Sequence, residues 1–364
     1  MPINRTQAWL TLHRWPALVV SLLLFVQAAS GTALVFRDEI EPLIHPALAV
    51  APLPSQVPVQ ALIDRVSAAH PGARLSRLTF PARADRAVIF TLASADGAEL
   101  MTAIDPYRNR IVRDGGLGAW PMEWLFNLHQ QLLAGPVGET IVGCEGLVLI
   151  WMAITGLGSW WPGLRRLRQG FRVRLGGSAE LRWRSLHRAV GAGAALLLIL
   201  SAGTGAMMVW KPTVRAMLHG RDRPAPKVAA RPGHPLVPAD VLIARAERAD
   251  GPAAVRQLRF SSGGRVIAVF LDSHHTIRAD GTAQLYYDAY DGTERGRYIA
   301  GDLPAGSEFV DWLYTVHSGI WGGLVTRAIL LFTGIALIGL ALTGPWLFYI
   351  RTVRRRRRPR AIPE

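Results

Sequence analysis

Half of the 364 residues are apolar, a length and composition that allow more than one domain. The formal net charge of +15 invites nucleic acid as a partner, but its distribution argues against one. Segments 163–185 and 351–364 hold seven Arg and one acid each, while 37–121 balances nine bases against nine acids and 211–308 carries fourteen against eleven. The single cysteine, Cys144, excludes an intrachain disulfide and a thiolate metal site, and reads as a small packing residue.

Four apolar stretches, 12–36, 137–161, 186–210 and 324–350, each run to about 25 residues, where a bilayer core needs about 20. Charges inside them are few: Glu139 and Glu145, then Arg188 and Arg327 at the starts of the last two. The run Ala28-Ala29-Ser30-Gly31 weakly resembles a signal-peptide cleavage site, but the third stretch repeats the first in mid-chain and argues for a retained span. The Arg-rich segments are the short ones, and the positive-inside rule puts them in the cytoplasm together with Arg5, Arg14 and both termini. The run Arg354–Arg358 reads as a stop-transfer signal and lipid-phosphate anchor.

The expected order is therefore a transmembrane helix over 1–37, an extramembrane domain over 38–121, a second helix over 122–162 and a basic cytoplasmic loop over 163–185. A third helix over 186–211, a second domain over 212–308, a fourth helix over 309–350 and a basic tail over 351–364 complete it. In the first domain the spacing predicts a helix over 57–70, with Val57, Ala61, Leu62, Val66 and Ala69 on one face. Strands are predicted over 75–80, 87–93, 99–104 and 110–113, with Asp96-Gly97 as a hairpin turn. The second domain repeats this with a helix over 237–249, strands over 255–260, 265–271 and 283–287, and a turn at Asp280-Gly281. Proline-rich pieces, Pro42–Pro58 and Pro224–Pro238, read as ordered linkers into the two domains.

The halves of the chain align as a tandem duplication. An offset of 174 carries Leu12-His13-Arg14 onto Leu186-His187-Arg188, Gly31 onto Gly205 and His45 onto His219. An offset of 180 carries Val57-Pro58 onto Val237-Pro238, and one of 188 carries His129 onto His317 and Thr155-Gly156 onto Thr343-Gly344. Two units that each cross the membrane twice share one orientation, the parallel type of repeat.

Six of the ten histidines fall in these pairs. His13 and His187 open the first and third spans at the cytoplasmic edge, whereas His129 and His317 precede the second and fourth apolar cores on the outer side. A continuous helix from His129 to Trp161 would set the two levels at most about 48 Å apart, less if Gly135-Pro136 breaks it. Neutral imidazoles on bundle-facing helices suit axial ligation of haem iron, and histidine pairs at two depths would make one electron path across the bilayer. His45 and His219 lie nine residues past their spans, where they could replace the outer pair as ligands or line a substrate site. Arg14 and Arg188 fit two roles equally, pairing with haem propionates or anchoring at the cytoplasmic face. His70, His234, His274 and His275 are unpaired and read as solvent-facing.

The motifs Leu12-His13-Arg14, Ser30-Gly31-Thr32, Asn127-Leu128-His129 and Thr155-Gly156-Leu157, ending in Trp160-Trp161-Pro162, resemble those of the PepSY-associated transmembrane family, the iron-regulated membrane proteins. The resemblance covers nearly the whole chain. It implies an α-helical membrane protein: a four-transmembrane-helix bundle from a tandem duplication, with two small α+β periplasmic PepSY-like domains, in the bacterial inner membrane. It implies haem b, two per chain, on His13, His187, His129 and His317, and reduction of a periplasmic ferric chelate such as a ferric siderophore. No Gly-rich dinucleotide fingerprint follows a strand, so the expected electron donor is quinol or a separate reductase protein. The competing expectation is a non-enzymatic membrane module that binds a peptide, siderophore or partner protein, or a transporter that uses Glu139 and Glu145.

Overall fold

The computed structural model describes residues 5–224, 226–251, 253–272 and 281–354. Along the chain run α1 (Arg5–Leu34), α2 (Arg37–Ile44), α3 (Val59–Ala69), β1 (Arg74–Thr79), β2 (Val88–Ala93), β3 (Glu99–Asp105), β4 (Arg110–Gly116), α4 (Pro121–Gln131) and α5 (Gly135–Trp160). Then come α6 (Leu167–Gly170), α7 (Ala179–Val209), α8 (Lys211–Met217), α9 (Ala239–Asp250), β5 (Ala254–Ser261), β6 (Val266–Asp272), β7 (Ala283–Asp288), β8 (Glu294–Ile299), α10 (Ala305–His317) and α11 (Gly323–Tyr349). They sort into two compact units. A helical unit takes Met1–Phe36, Leu125–Lys211 and Val316–Glu364, and a sheet unit takes Arg37–Trp124 and Pro212–Thr315.

In the helical unit, four helical segments are long and apolar enough to cross a membrane: Gln7–Leu34, Gly135–Trp160, Ala179–Val209 and Ile320–Thr352. They are apolar all round, with Val19, Leu22, Leu196 and Phe332 pointing outward, as helices with a hydrocarbon exterior are. α1 packs on α5 and α11, and α7 packs on the same two, which closes a ring around Leu24, Leu149, Ala202 and Ala341. Small residues set the approach: a Cβ on Gly146 would lie 3.1 Å from the Ala202 carbonyl oxygen of α7. α7 starts at Ala179, one full turn and more before the expected 186, because Ser178 caps it by accepting the Leu181 N–H and Glu180 sits in its first turn.

The expected helices over 122–162 and 309–350 are each broken. Leu132 and Leu133, at φ of 51° and 57°, separate α4 from α5, and Gly319 and Gly323, at 72° and 58°, separate α10 from α11. The left-handed backbone ends each short helix within two residues of its histidine, so His129 and His317 sit on segments of their own, outside the span helices.

In the sheet unit the segments expected as two small α+β domains share a single sheet. All eight strands form one antiparallel sheet in the order β4-β3-β2-β1-β5-β6-β7-β8. The join is β1 on β5, with Leu78 opposite Leu258. Each half repeats the same plan, a helix and four consecutive strands, and the two helices share one core with the sheet: Leu62, Val66, Leu78 and Phe90 from one half, Leu242, Ala246, Leu258 and Val269 from the other. The helix starts cap each other. Asp240 accepts the Val59 and Gln60 N–H groups at 2.8 and 2.9 Å, and Gln60 Oε1 accepts the Ala239 N–H at 3.0 Å. β8 adds a strand to the three predicted for the second half; its exposed charges hide an edge strand with only Tyr298 buried. Asp96-Gly97 makes the predicted turn, with Gly97 at φ 85° and Asp96 accepting the Ala98 N–H. Asp280, His274, His275 and the run after Arg354 lie outside the described residues.

Candidate functional site

The helical unit brings the paired histidines to two levels, and the geometry of each level repeats. At the first, the His129 ring on α4 lies against α1, with its Nδ1 3.0 Å from Ser30 Oγ. His317 on α10 lies in the same way against α7, with Nδ1 3.0 Å from both Thr204 Oγ1 and the Ser201 carbonyl oxygen. The ring centres of His129 and His317 are 6.3 Å apart and tilted by 43°. At the second level His13 on α1 meets α5, with Nδ1 2.9 Å from the Met152 carbonyl oxygen and 3.4 Å from Thr155 Oγ1. His187 on α7 meets α11, with Nδ1 2.7 Å from Thr343 Oγ1. His13 and His187 lie within electrostatic reach of each other.

These contacts fix a tautomer. A carbonyl oxygen can only accept, so Nδ1 carries the hydrogen in His13 and His317, and Ser30, which donates its hydroxyl to the Val26 carbonyl at 2.7 Å, accepts from His129. Thr343 donates its own hydroxyl to the Gly339 carbonyl at 2.6 Å and therefore accepts from His187. All four imidazoles thus keep the lone pair on Nε2, the state of a metal-ligating histidine whose other nitrogen is held by an outer partner. A glycine gives each ring its seat. A Cβ on Gly31 would fall 2.7 Å from His129 Cε1, one on Gly205 3.1 Å from His317, one on Gly156 3.3 Å from His13 and one on Gly344 3.8 Å from His187.

Ser30 lies seventeen residues beyond His13 on α1, and Thr204 seventeen beyond His187 on α7. At 1.5 Å per residue the two levels stand about 25 Å apart. That is half the expected maximum, because the breaks after Gln131 and His317 keep α4 and α10 off the span helices.

Two imidazoles bound through Nε2 to opposite faces of one metal, at about 2 Å per bond, have ring centres about 6 Å apart. The 6.3 Å between His129 and His317 fits such a bis-histidine pair. Among the described residues no three His, Cys, Asp or Glu converge.

The remaining candidates fall elsewhere. His45 and His219 belong to the sheet unit. His45 Nε2 is buried without a partner, and burial together with the Arg113 guanidinium holds the ring below the usual histidine range. His219 is exposed at a left-handed φ of 54°. His70, expected to face solvent, instead bonds through Nε2 to Thr102 Oγ1 at 3.0 Å and Asp114 at 3.1 Å, with its side chain 13 % exposed. Arg14 and Arg188 make no ion pair among the described residues, and Arg14 lies within electrostatic reach of Arg351.

Sequence reasoning did not pick out Ser30, Thr204, Thr155 and Thr343 as the partners of the rings. The signal was available, since Ser30 and Thr204 share the offset of 174 that relates His13 to His187, and Thr155 and Thr343 share the 188 of His129 and His317. A hydroxyl kept at the register of a histidine is a candidate outer partner.

No curated protein matches the chain. One family does, over residues 10–351, and its description is PepSY-associated TM region. With that match over nearly the whole length and four apolar helices of spanning length, the chain is a helical membrane protein that belongs to the PepSY-associated TM region family.

Proposed function

We propose that the protein is a haem-b-containing electron-transfer protein of the bacterial inner membrane that reduces a periplasmic ferric chelate, such as a ferric siderophore. The observation that carries this reading is the His129–His317 pair, 6.3 Å between centres with both Nδ1 atoms tied back to α1 and α7. His129 with His317 would hold one haem and His13 with His187 a second. The group supplies one-electron chemistry between ferric and ferrous iron.

The chain's own residues do the rest. Ser30, Thr204, Thr155 and Thr343 orient the rings and keep Nε2 unprotonated. Gly31, Gly205, Gly156 and Gly344 leave room for them. Leu24, Leu149, Ala202 and Ala341 pack together as an apolar core of the bundle. Electrons would enter from quinol or a reductase protein at His13 and His187, on the side that the positive-inside rule would make cytoplasmic, and leave at His129 and His317. The common offsets of the rings and their partners support a tandem duplication, and the two halves of the sheet unit fit paired PepSY-like domains in the periplasm.

The test is an optical spectrum and pyridine haemochrome quantitation of the purified full chain. A reducible bis-histidine haem signal at two haems per chain is expected, with His317→Ala removing one haem and leaving the other. Colourless protein would overturn the reading and favour the second one, a non-enzymatic binding module or a transporter. The observation behind that alternative is Glu145, a carboxyl buried in α5 with no partner.

A further inference from the structure

Glu145 is the polar group that the histidine levels leave unexplained. It is 5 % exposed, and among the described residues neither carboxylate oxygen has a hydrogen-bond partner. Leu149, one turn further along α5, packs on Leu24 of α1, Ala202 of α7 and Ala341 of α11, so this face of α5 looks into the bundle. Met152, whose carbonyl holds His13, is seven residues on, about 10 Å along the helix. On α1, Leu24 lies between His13 and Ser30, so the carboxyl stands between the two levels. The amide nitrogen of Gln27, one turn above Leu24, is also buried without a partner. At the matching position of the second half, 188 residues on, Thr333 is satisfied by donating to the Ile329 carbonyl at 2.7 Å. A group with only desolvation around it has replaced one that bonds within its own helix.

An anion here would cost several kcal/mol unless a positive charge or a proton compensates it. The titratable and charged groups on the elements packed around it are His13 and Arg14 on α1, Glu180, Arg182, Arg184, His187 and Arg188 on α7, and Arg327 and Tyr349 on α11, with His129 and His317 beyond them and Glu139 and Cys144 on α5 itself. Arg327 is committed to the Val35 carbonyl at 2.7 Å, and none of these groups makes a contact with the carboxyl. The carboxyl is therefore neutral while it holds a proton, and as an anion it needs a charge on what the histidines hold. A bis-imidazole ferric porphyrin carries one net positive charge at its core and loses it on reduction.

We propose that Glu145 is a redox-linked proton site: its carboxylate binds one proton when one electron enters the bundle and releases it when that electron leaves. This rests on the haem reading above. Charge balances, since one electron and one proton arrive together, and a quinol donor releases a proton for every electron it gives up.

The experiment is spectroelectrochemical titration of the purified full chain in lipid nanodiscs between pH 6 and pH 8, with redox-difference infrared spectra. In the wild type at least one midpoint potential should fall with rising pH at close to one proton per electron. A protonated-carboxyl band that shifts in D2O should appear on reduction. Glu145→Gln should flatten the slope and remove the band at unchanged haem content and unchanged bis-histidine spectrum, while Glu145→Asp should keep both. If Glu145→Gln does not fold, Glu145→Thr, which copies the second half, serves in its place. A slope and band that survive the substitution overturn this proposal alone, and a wild type without a reducible haem overturns the functional reading with it.

Discussion

Each imidazole of the helical unit touches a glycine on the facing helix, and the four clearances form a graded series: 2.7 Å at Gly31, 3.1 Å at Gly205, 3.3 Å at Gly156 and 3.8 Å at Gly344. A methyl group at the first cannot be added without moving the ring, whereas at the last it fits ordinary van der Waals contact. On the proposed haem reading, Gly31→Ala should lower haem occupancy or shift the spectrum most, Gly205→Ala and Gly156→Ala less, and Gly344→Ala least, as haemochrome content of the four variants would measure. The sheet unit has its own residue-scale switch. Asp288 is fully buried; burial alone would raise its carboxyl, but the Arg295 hydrogen bond, the Tyr290 N–H and the Arg231 charge outweigh this and hold it below the ordinary range. The Thr293 hydroxyl and then the Thr293 N–H bring Asp291 to about 2. Folded carboxyls held below their unfolded value stabilise fully above that value and lose the effect as pH falls through the folded one. Asp288→Asn should be less stable than wild type at pH 7, with the difference shrinking below about pH 4, the unfolded range of Asp. Acid titrations of the two proteins followed by circular dichroism would read it.

At the scale of elements, the reciprocal caps bear the most on stability. α3 starts at Pro58, which offers no side-chain acceptor, so Asp240 from the start of α9 supplies one for two of its free N–H groups. Asp240→Ala should destabilise the sheet unit by about 1–2 kcal/mol, the usual cost of a lost cap, in urea titrations. The apolar stretches of the four span helices, α3, α9 and seven of the eight strands could be read from the chain, because apolar periodicity and an Asp-Gly turn are local signals. The caps could not, since Gln60 and Asp240 look like ordinary first-turn residues until the two helices meet. β8 escaped for a different reason: Glu294, Arg295 and Arg297 carry the charges of a sheet edge and leave no alternation to detect. The positions of the site histidines could be found because they recur at fixed offsets. Their hydroxyl partners were hidden, because Ser30, Thr155 and Thr204 also bond back to their own helices, as any serine or threonine in a span does.

For the whole molecule the β1–β5 join decides how the sheet unit behaves. Leu78 and Leu258 are fully buried on adjacent strands, and the core runs past them from one half to the other. Leu258→Ala should cost about 2–4 kcal/mol. It should lower hydrogen-exchange protection in β3 and β7 together, where two independent domains would show loss in β7 alone. Each half is by itself a four-stranded sheet with a bare edge at β1 or β5 and a helix whose cap lies in the other half. Such an arrangement is a dimer interface written into a single polypeptide. Partners joined in this way cannot be diluted apart, so the pairing is as firm at a few copies per cell as at many.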